Sequence, residues 1–136
     1  MRVMTDTTLS DTIVDVFTRD LHFESHGTVR AEERRMADGD ADWRLAMFHA
    51  EIADDVHADH WEKHPLADEA VCCLSGAIRL RVRATQPGTP DDVVRLVPGR
   101  AVIMPRDRWH RFEFEAPTDL LAVTLRRGTQ LQARTF

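Results

Sequence analysis

Two acids and a histidine stand close together in the stretch "WEKHPLADE", residues 61–69: Glu62, His64 and Glu69. Carboxylate and imidazole groups can share a divalent cation, each ligand atom at about 2.0–2.2 Å from it. On an extended strand, residues two apart face one side and stand about 6.6 Å from each other. Glu62 and His64 therefore point one way, joined by His60 if the strand begins early enough, and Trp61 and Lys63 point the other way. Pro65 to Asp68 turn the chain, and Glu69 then opens the next strand close to His64. Three donors from one hairpin leave a cation poorly enclosed, so another has to arrive from a different strand. "PGRAVIMPRDRWHRF", residues 98–112, offers His110 at a strand start, on a face shared with Phe112 and Phe114. The same residues also fit a barrel interior that keeps hydrogen-bonded polar groups without a metal.

The elements that must position these groups read as short strands. From Trp43 onward the candidates are residues 43–52, 59–64, 69–76, 77–84, 93–97, 100–104, 109–115 and 119–126. The clearest is "AIRLRVRA", in which Ile78, Leu80 and Val82 share one face and Arg79, Arg81 and Arg83 the other. "TQPGTPDD", residues 85–92, is dense in turn formers. Short strands at this spacing predict an all-β sandwich or barrel. No long helices alternate with them, which argues against a doubly wound α/β fold. Residues 1–41 are polar and weakly patterned, with a short helix expected over "VRAEERRM", residues 29–36. The reading is a short, weakly structured N-terminal extension over 1–41, a β-barrel over 42–130 and a tail over 131–136.

Other polar residues are weighed by parity. His49 faces the same side as Leu45 and Met47, as a cavity residue or a satisfied core histidine. Arg108 shares parity with His110 and is placed to anchor an anionic substrate at a pocket mouth or to lie on the surface. Trp61 and Trp109 are expected to point outward and the Arg79, Arg81, Arg83 stripe to be a solvated strand face. Cys73 shares the face of Glu69 and reads as a small buried hydrophobe.

Composition narrows the function classes. A chain of 136 residues suits one domain with a real core. Its net charge of −5 is opposite to the basic field of a general nucleic-acid binder. No apolar run approaches the roughly 20 residues of a membrane span. "MRVMTDTTLSD" has no apolar core for a secretory signal, and the adjacent Cys72 and Cys73 pair poorly, so a reduced cytoplasmic setting is expected. Of the 18 Lys+Arg residues only Lys63 is lysine, a skew that points to a GC-rich bacterial genome.

Residues 43–126 resemble the cupin superfamily, small double-stranded β-helix (jelly-roll) barrels with two sequence motifs. The first is commonly His-x-His, three or four residues, Glu, six residues, Gly. Glu62-x-His64, four residues, Glu69, six residues and Gly76 fill those places. The second is Gly, five residues, Pro-x-Gly, two residues, His, three residues, Asn. Gly99, five residues, Pro105, Asp107, two residues and His110 match it. Glu62 replaces the usual first histidine, Asp107 a turn glycine and Phe114 the final asparagine. The resemblance implies a divalent metal ion (Fe, Mn or Zn) held by Glu62, His64, Glu69 and His110. Glu62 has two other readings: an acceptor for a histidine N–H, or the partner of an inward arginine. His60, Arg108, Phe112 and His49 are the candidate pocket-lining residues, with a surface position the other reading of His60. The resemblance further implies a small-molecule ligand or substrate, no nucleic-acid or membrane partner, and a homodimer. The expected function is a metal-dependent enzyme, such as a non-haem iron dioxygenase of a small organic acid or diketone. A zinc- or manganese-dependent isomerase or lyase, and a non-catalytic ligand-binding or sensing cupin, are the alternatives.

Overall fold

The computed structural model describes residues 8–34 and 43–135. Eleven strands are described: β1 Arg19–Phe23, β2 Val29–Glu33, β3 Trp43–Ala50, β4 His60–Lys63, β5 Glu69–Ser75, β6 Ile78–Val82, β7 Asp92–Leu96, β8 Ala101–Met104, β9 His110–Phe114, β10 Thr118–Leu125 and β11 Gln130–Ala133. They form two antiparallel sheets, one in the order β2-β1-β3-β10-β5-β8 and the other β11-β4-β9-β6-β7. From β4 to β9 the chain crosses between the sheets at every connection except the β6–β7 hairpin, as in a jelly roll. Each strand expected between residues 43 and 126 is present. Among the described residues no helix is long and apolar enough to cross a membrane.

Side-chain alternation explains why these segments pair. In β6, Ile78, Leu80 and Val82 are buried and Arg79 is exposed; in β10, Thr118, Leu120, Ala122 and Thr124 are buried. Burying side chains such as Ile78 and Leu120 stabilises the fold by about 1.5–3 kcal/mol each. The core between the sheets joins Val71, Cys73, Ile78, Leu96 and Leu120, with a smaller cluster of Leu80, Val82 and Met104. Cys73 is thus the small core hydrophobe expected of it.

Two expectations are corrected. Residues 29–33 are strand β2 rather than the start of a helix. They pair residue by residue with β1, and Arg30 bridges Glu24 and Glu32 along that hairpin. Residues 35 and 36 of the expected helix lie outside the described residues, as does the expected boundary at 41–42. The second correction is the parity of β3. Register with β10 sets Arg44 opposite Thr124, Ala46 opposite Ala122, Phe48 opposite Leu120 and Ala50 opposite Thr118. The inward face of β3 is therefore Arg44, Ala46, Phe48 and Ala50, and His49 lies outside the cavity. His49 is 51% exposed, with Asp119 and Glu51 each 2.6 Å from a ring nitrogen. The larger apolar residues of β3, Leu45 and Met47, misled the parity reading because the outer face of this sheet is itself apolar.

The polar residues on the inward face of the six-stranded sheet gather at one end. His22 stands opposite Arg44, and Arg44 opposite Thr124. Thr124 in turn hydrogen-bonds Glu69. The rows beyond them toward Ala50 are dominated by apolar side chains. The interior is thus graded from charged to apolar along the strands.

Candidate metal centre

Four side chains meet at the polar end. Glu62 on β4 is paired directly across from His110, the first residue of β9, so both come from the five-stranded sheet. Glu69, the first residue of β5, comes from the six-stranded sheet. His64 follows β4, and its carbonyl accepts a 2.8 Å hydrogen bond from the Asp107 N–H. That bond ties the two turns together. Asp107 has φ 62°, the left-handed backbone that an aspartate tolerates better than most residues.

The ligand atoms of Glu62, His64 and His110 all lie within 4.8 Å of one another. Glu69 spans both imidazoles, with Oε2 3.3 Å from His64 Nε2 and Oε1 3.3 Å from His110 Nε2. The two rings are 5.3 Å apart between centroids. His64, Glu69 and His110 are buried, and the Glu62 side chain is 27% exposed.

The outer nitrogens of both rings are held. His110 Nδ1 donates to the Arg108 carbonyl at 3.0 Å, which leaves Nε2 as the lone-pair nitrogen facing the cluster. His64 Nδ1 meets Thr129 Oγ1 at 2.9 Å. His64 Nε2 lies 2.7 Å from Glu62 Oε1. It is nevertheless buried with no properly aligned hydrogen-bond partner among the described residues. An orphaned buried nitrogen between two carboxylates is what a cation-binding site looks like when described by its donors alone. The residues present fit a divalent ion.

The electrostatics say the same. Burial opposes charge on Glu69, but the His110 and His64 rings set close against its two oxygens outweigh it and hold the carboxyl well below its usual range. Burial likewise opposes ionisation of Glu62, and His64 together with the Arg126 charge overcomes it. For His64, burial disfavours the imidazolium, yet Glu62 and Glu69 push its pKa up to about 9. Two carboxylates thus draw a positive charge to the spot where His64 Nε2 sits.

Of the candidate pocket residues, His60 and Phe112 line a cavity beside this cluster, whose volume is about 180 Å³. His49 and Arg108 do not. Arg108 serves through its carbonyl, and its guanidinium donates to the carbonyl of Arg83 at 3.0 Å, away from the cavity. A turn before His110 breaks the parity shared by the two residues, so the pocket-mouth reading of Arg108 gives way to its position outside the cavity lining.

Three groups escaped the sequence reading. Arg126 Nη1 donates to Glu62 Oε1 at 2.8 Å, supplying the inward arginine that one reading of Glu62 allowed without naming it, and Thr124 Oγ1 donates to Glu69 Oε2 at 2.5 Å. Alternation along β10 could have found both, since Leu120, Ala122, Thr124 and Arg126 follow at every second position. The third is Thr129, in the turn before β11. Residues from 131 on were expected to be a tail, yet Gln130–Ala133 pair with β4, whose strand carries Glu62. No local pattern announces that pairing.

No protein-family model matches the sequence, and no curated protein matches it. Solved structures do match. An arginine-to-alanine variant of oxalate decarboxylase from Bacillus subtilis is 18% identical, with a TM-score of 0.50, covering 68% of this chain and 24% of that one. Another structure of the same enzyme, studied for its Mn(II) centres, is 16% identical with a TM-score of 0.49 and the same coverage. A protein from Neisseria meningitidis is 14% identical with a TM-score of 0.40, covering 61% of this chain and 70% of that one. This chain spans about a quarter of the oxalate decarboxylase chain. At such identities the likeness concerns the fold alone, a two-sheet antiparallel jelly-roll barrel.

Proposed function

We propose that this cupin-fold chain is a small metal-dependent enzyme whose divalent ion is held by Glu62, His64, Glu69 and His110. The observation that carries the reading is the buried, orphaned His64 Nε2 set between two carboxylates. A bound dication would supply Lewis acidity and a coordination position for a small substrate. The chain's own residues do the rest. Glu69 links the two sheets at the site, Thr124 and Arg126 orient the carboxylates, and Arg108 and Thr129 orient the imidazoles. The adjoining cavity, lined by Phe48, Val71, Phe112 and Leu120, admits a small molecule and limits water around it.

The reaction class we favour is dioxygenation of a small organic acid or diketone with iron(II), on a mixed carboxylate–imidazole site. Anaerobic reconstitution with iron(II), followed by oxygen-uptake assays over small acids and diketones, tests it. Uptake that depends on one substrate and on His110 is expected. No uptake with any of them removes this class. The second reading is a zinc- or manganese-dependent isomerase or lyase. It is favoured by the two carboxylates, which make the donor set harder and more anionic than a three-histidine site. Stoichiometric zinc or manganese in protein purified without added metal selects it.

We also propose a homodimer. The outer face of the six-stranded sheet presents Leu45 and Met47 on β3, Leu121, Val123 and Leu125 on β10, and Cys72 and Leu74 on β5. All are half-buried or exposed. A contiguous apolar face of this kind is a common mark of an association surface.

A further inference from the structure

The charged groups around the cavity, taken together with its apolar end, identify the kind of ligand it takes. Arg44 stands directly across from Thr124 on the inward face, and Arg126 follows Thr124 by two residues. Both arginines are buried, at 6% and 3% exposure, and both line the cavity. Arg44 Nη1 donates to Asp20 Oδ2 at 2.7 Å, and Arg34 Nε donates to Asp20 Oδ1 at 2.9 Å. Arg34 and Arg44 thus share Asp20, Arg126 meets Glu62, and Glu69 is set against His64 and His110, so each buried carboxylate has its partners. Arg111, which also borders the cavity, is directed toward Trp61 and Glu113.

That balance holds only while the carboxylates have no other claim on them. A dication held by Glu62 and Glu69 leaves the buried site with added positive charge even after it displaces the His64 proton, although the chain as a whole carries −5. Uncompensated buried charge is costly, and a ligand that brings negative charge removes the cost. Arginine suits a carboxylate in particular, because its planar fork can meet both oxygens.

Away from the cation the lining changes character. Phe48, Val56, Val71, Phe112 and Leu120 supply its apolar surface, and His57 and His60 also line the cavity. Arg34 borders that part as well. Its guanidinium stacks 4.4 Å over the Phe48 ring and donates to Asp20 and to the Val16 and Met47 carbonyls. The volume, about 180 Å³, lies below the roughly 300–1,000 Å³ of pockets for drug-sized ligands.

We propose that the cavity binds a small monocarboxylate. Its carboxylate would sit between the metal end and the Arg44–Arg126 pair, and its short hydrocarbon body against Phe48, Phe112 and Leu120. This rests on the metal reading above and deepens it. It also sets a preference: a compact dicarboxylate would put its second charge against Phe48, Phe112 and Leu120, none of which offers it a hydrogen-bond donor.

The test uses the full chain loaded with Mn²⁺, whose uptake is measured first by the loss of the free-ion EPR signal. Butyrate, succinate and butanol are then titrated by calorimetry, with and without the metal. Butyrate is expected to bind the loaded protein at least tenfold more tightly than succinate or butanol, and at least tenfold more tightly than it binds the metal-free protein. Arg44→Gln and Arg126→Gln should each weaken butyrate at least tenfold. If a variant does not fold, the ligand series on the unaltered chain decides alone. Mn²⁺ uptake with no butyrate binding, or with succinate preferred, overturns this inference and leaves the metal reading standing. Absence of Mn²⁺, zinc and iron(II) uptake overturns both.

Discussion

His64 concentrates the chemistry into one atom. Its Nε2 is buried, close to two carboxylates and aligned with neither, while its Nδ1 is occupied by Thr129. His64→Ala and His110→Ala are therefore expected to abolish stoichiometric metal in protein purified without additions, read by elemental analysis. His49→Ala should leave it unchanged, since that ring lies on the outer surface. The proton on His64 gives a second expectation. Its folded pKa is raised from 6.5 to about 9, so its contribution to metal-free stability is complete below about pH 6.5 and is lost as pH rises through about 9. The melting temperature of EDTA-treated protein should fall over that window, and His64→Gln should flatten the fall. Because a metal must displace this proton, uptake near pH 7 should release about one proton per ion, measurable by calorimetry in buffers of different ionisation enthalpy. Thr124→Val removes a hydrogen bond to a charged, buried oxygen and should cost about 1.5–3 kcal/mol in denaturant titration.

At the scale of elements, the turns determine whether the four donors meet. Gly76, between β5 and β6, has φ +82°, and a Cβ there would lie 2.0 Å from the Pro117 carbonyl oxygen and 2.8 Å from Thr118 Oγ1. Thr118 itself accepts a hydrogen bond from the Ala77 N–H and donates to the Ala77 carbonyl or that of Ala116. Gly76→Ala combines a left-handed backbone penalty of about 1–2 kcal/mol with overpacking of about 1–3 kcal/mol. We expect the midpoint of chemical denaturation to drop accordingly, with unchanged metal stoichiometry in the fraction that remains folded. The turn between β10 and β11 matters differently. It places Arg126 on Glu62 and Thr129 on His64, so one short connection supports two candidate ligands from different positions. On the outer face of the five-stranded sheet, Arg83 stacks between Trp61 and Trp109, at 4.5 and 5.2 Å from the ring centroids. These outward tryptophans are thus packed by the arginine stripe, and Arg81 adds ion pairs with Glu113 and Asp91. That stripe is a charged lattice over the sheet rather than a merely solvated face.

For the whole molecule, the apolar outer face of the six-stranded sheet is the feature that its own fold leaves without a covering layer among the described residues. Leu121 lies at its centre, paired with Met47 on one side and Cys72 on the other. Light scattering should give twice the chain mass for the unaltered protein, and Leu121→Glu should give the single-chain mass with metal uptake intact. A single-chain mass for the unaltered protein would rule out the dimer. Because the charged cluster and the apolar face lie on opposite sides of β10, changes at one should leave the other undisturbed.

The amino-acid sequence by itself determined the strands from residue 43 to 126, the turn glycines, and the spacing that sets Glu62, His64, Glu69 and His110 at strand ends. These are local matters: alternation has a period of two, and a turn declares itself in a few residues. Only the tertiary structure decided which face of β3 is inside, because both faces are apolar and the choice depends on register with β10. It also decided that Arg44, Arg126 and Thr124 line the cavity, with Asp20 holding Arg44, and that β11 pairs with the strand bearing Glu62. Those contacts join positions far apart in the chain, and no short-range pattern encodes them. A buried charge is tolerated only where a partner from another strand meets it, so its place is known only once the sheets are packed.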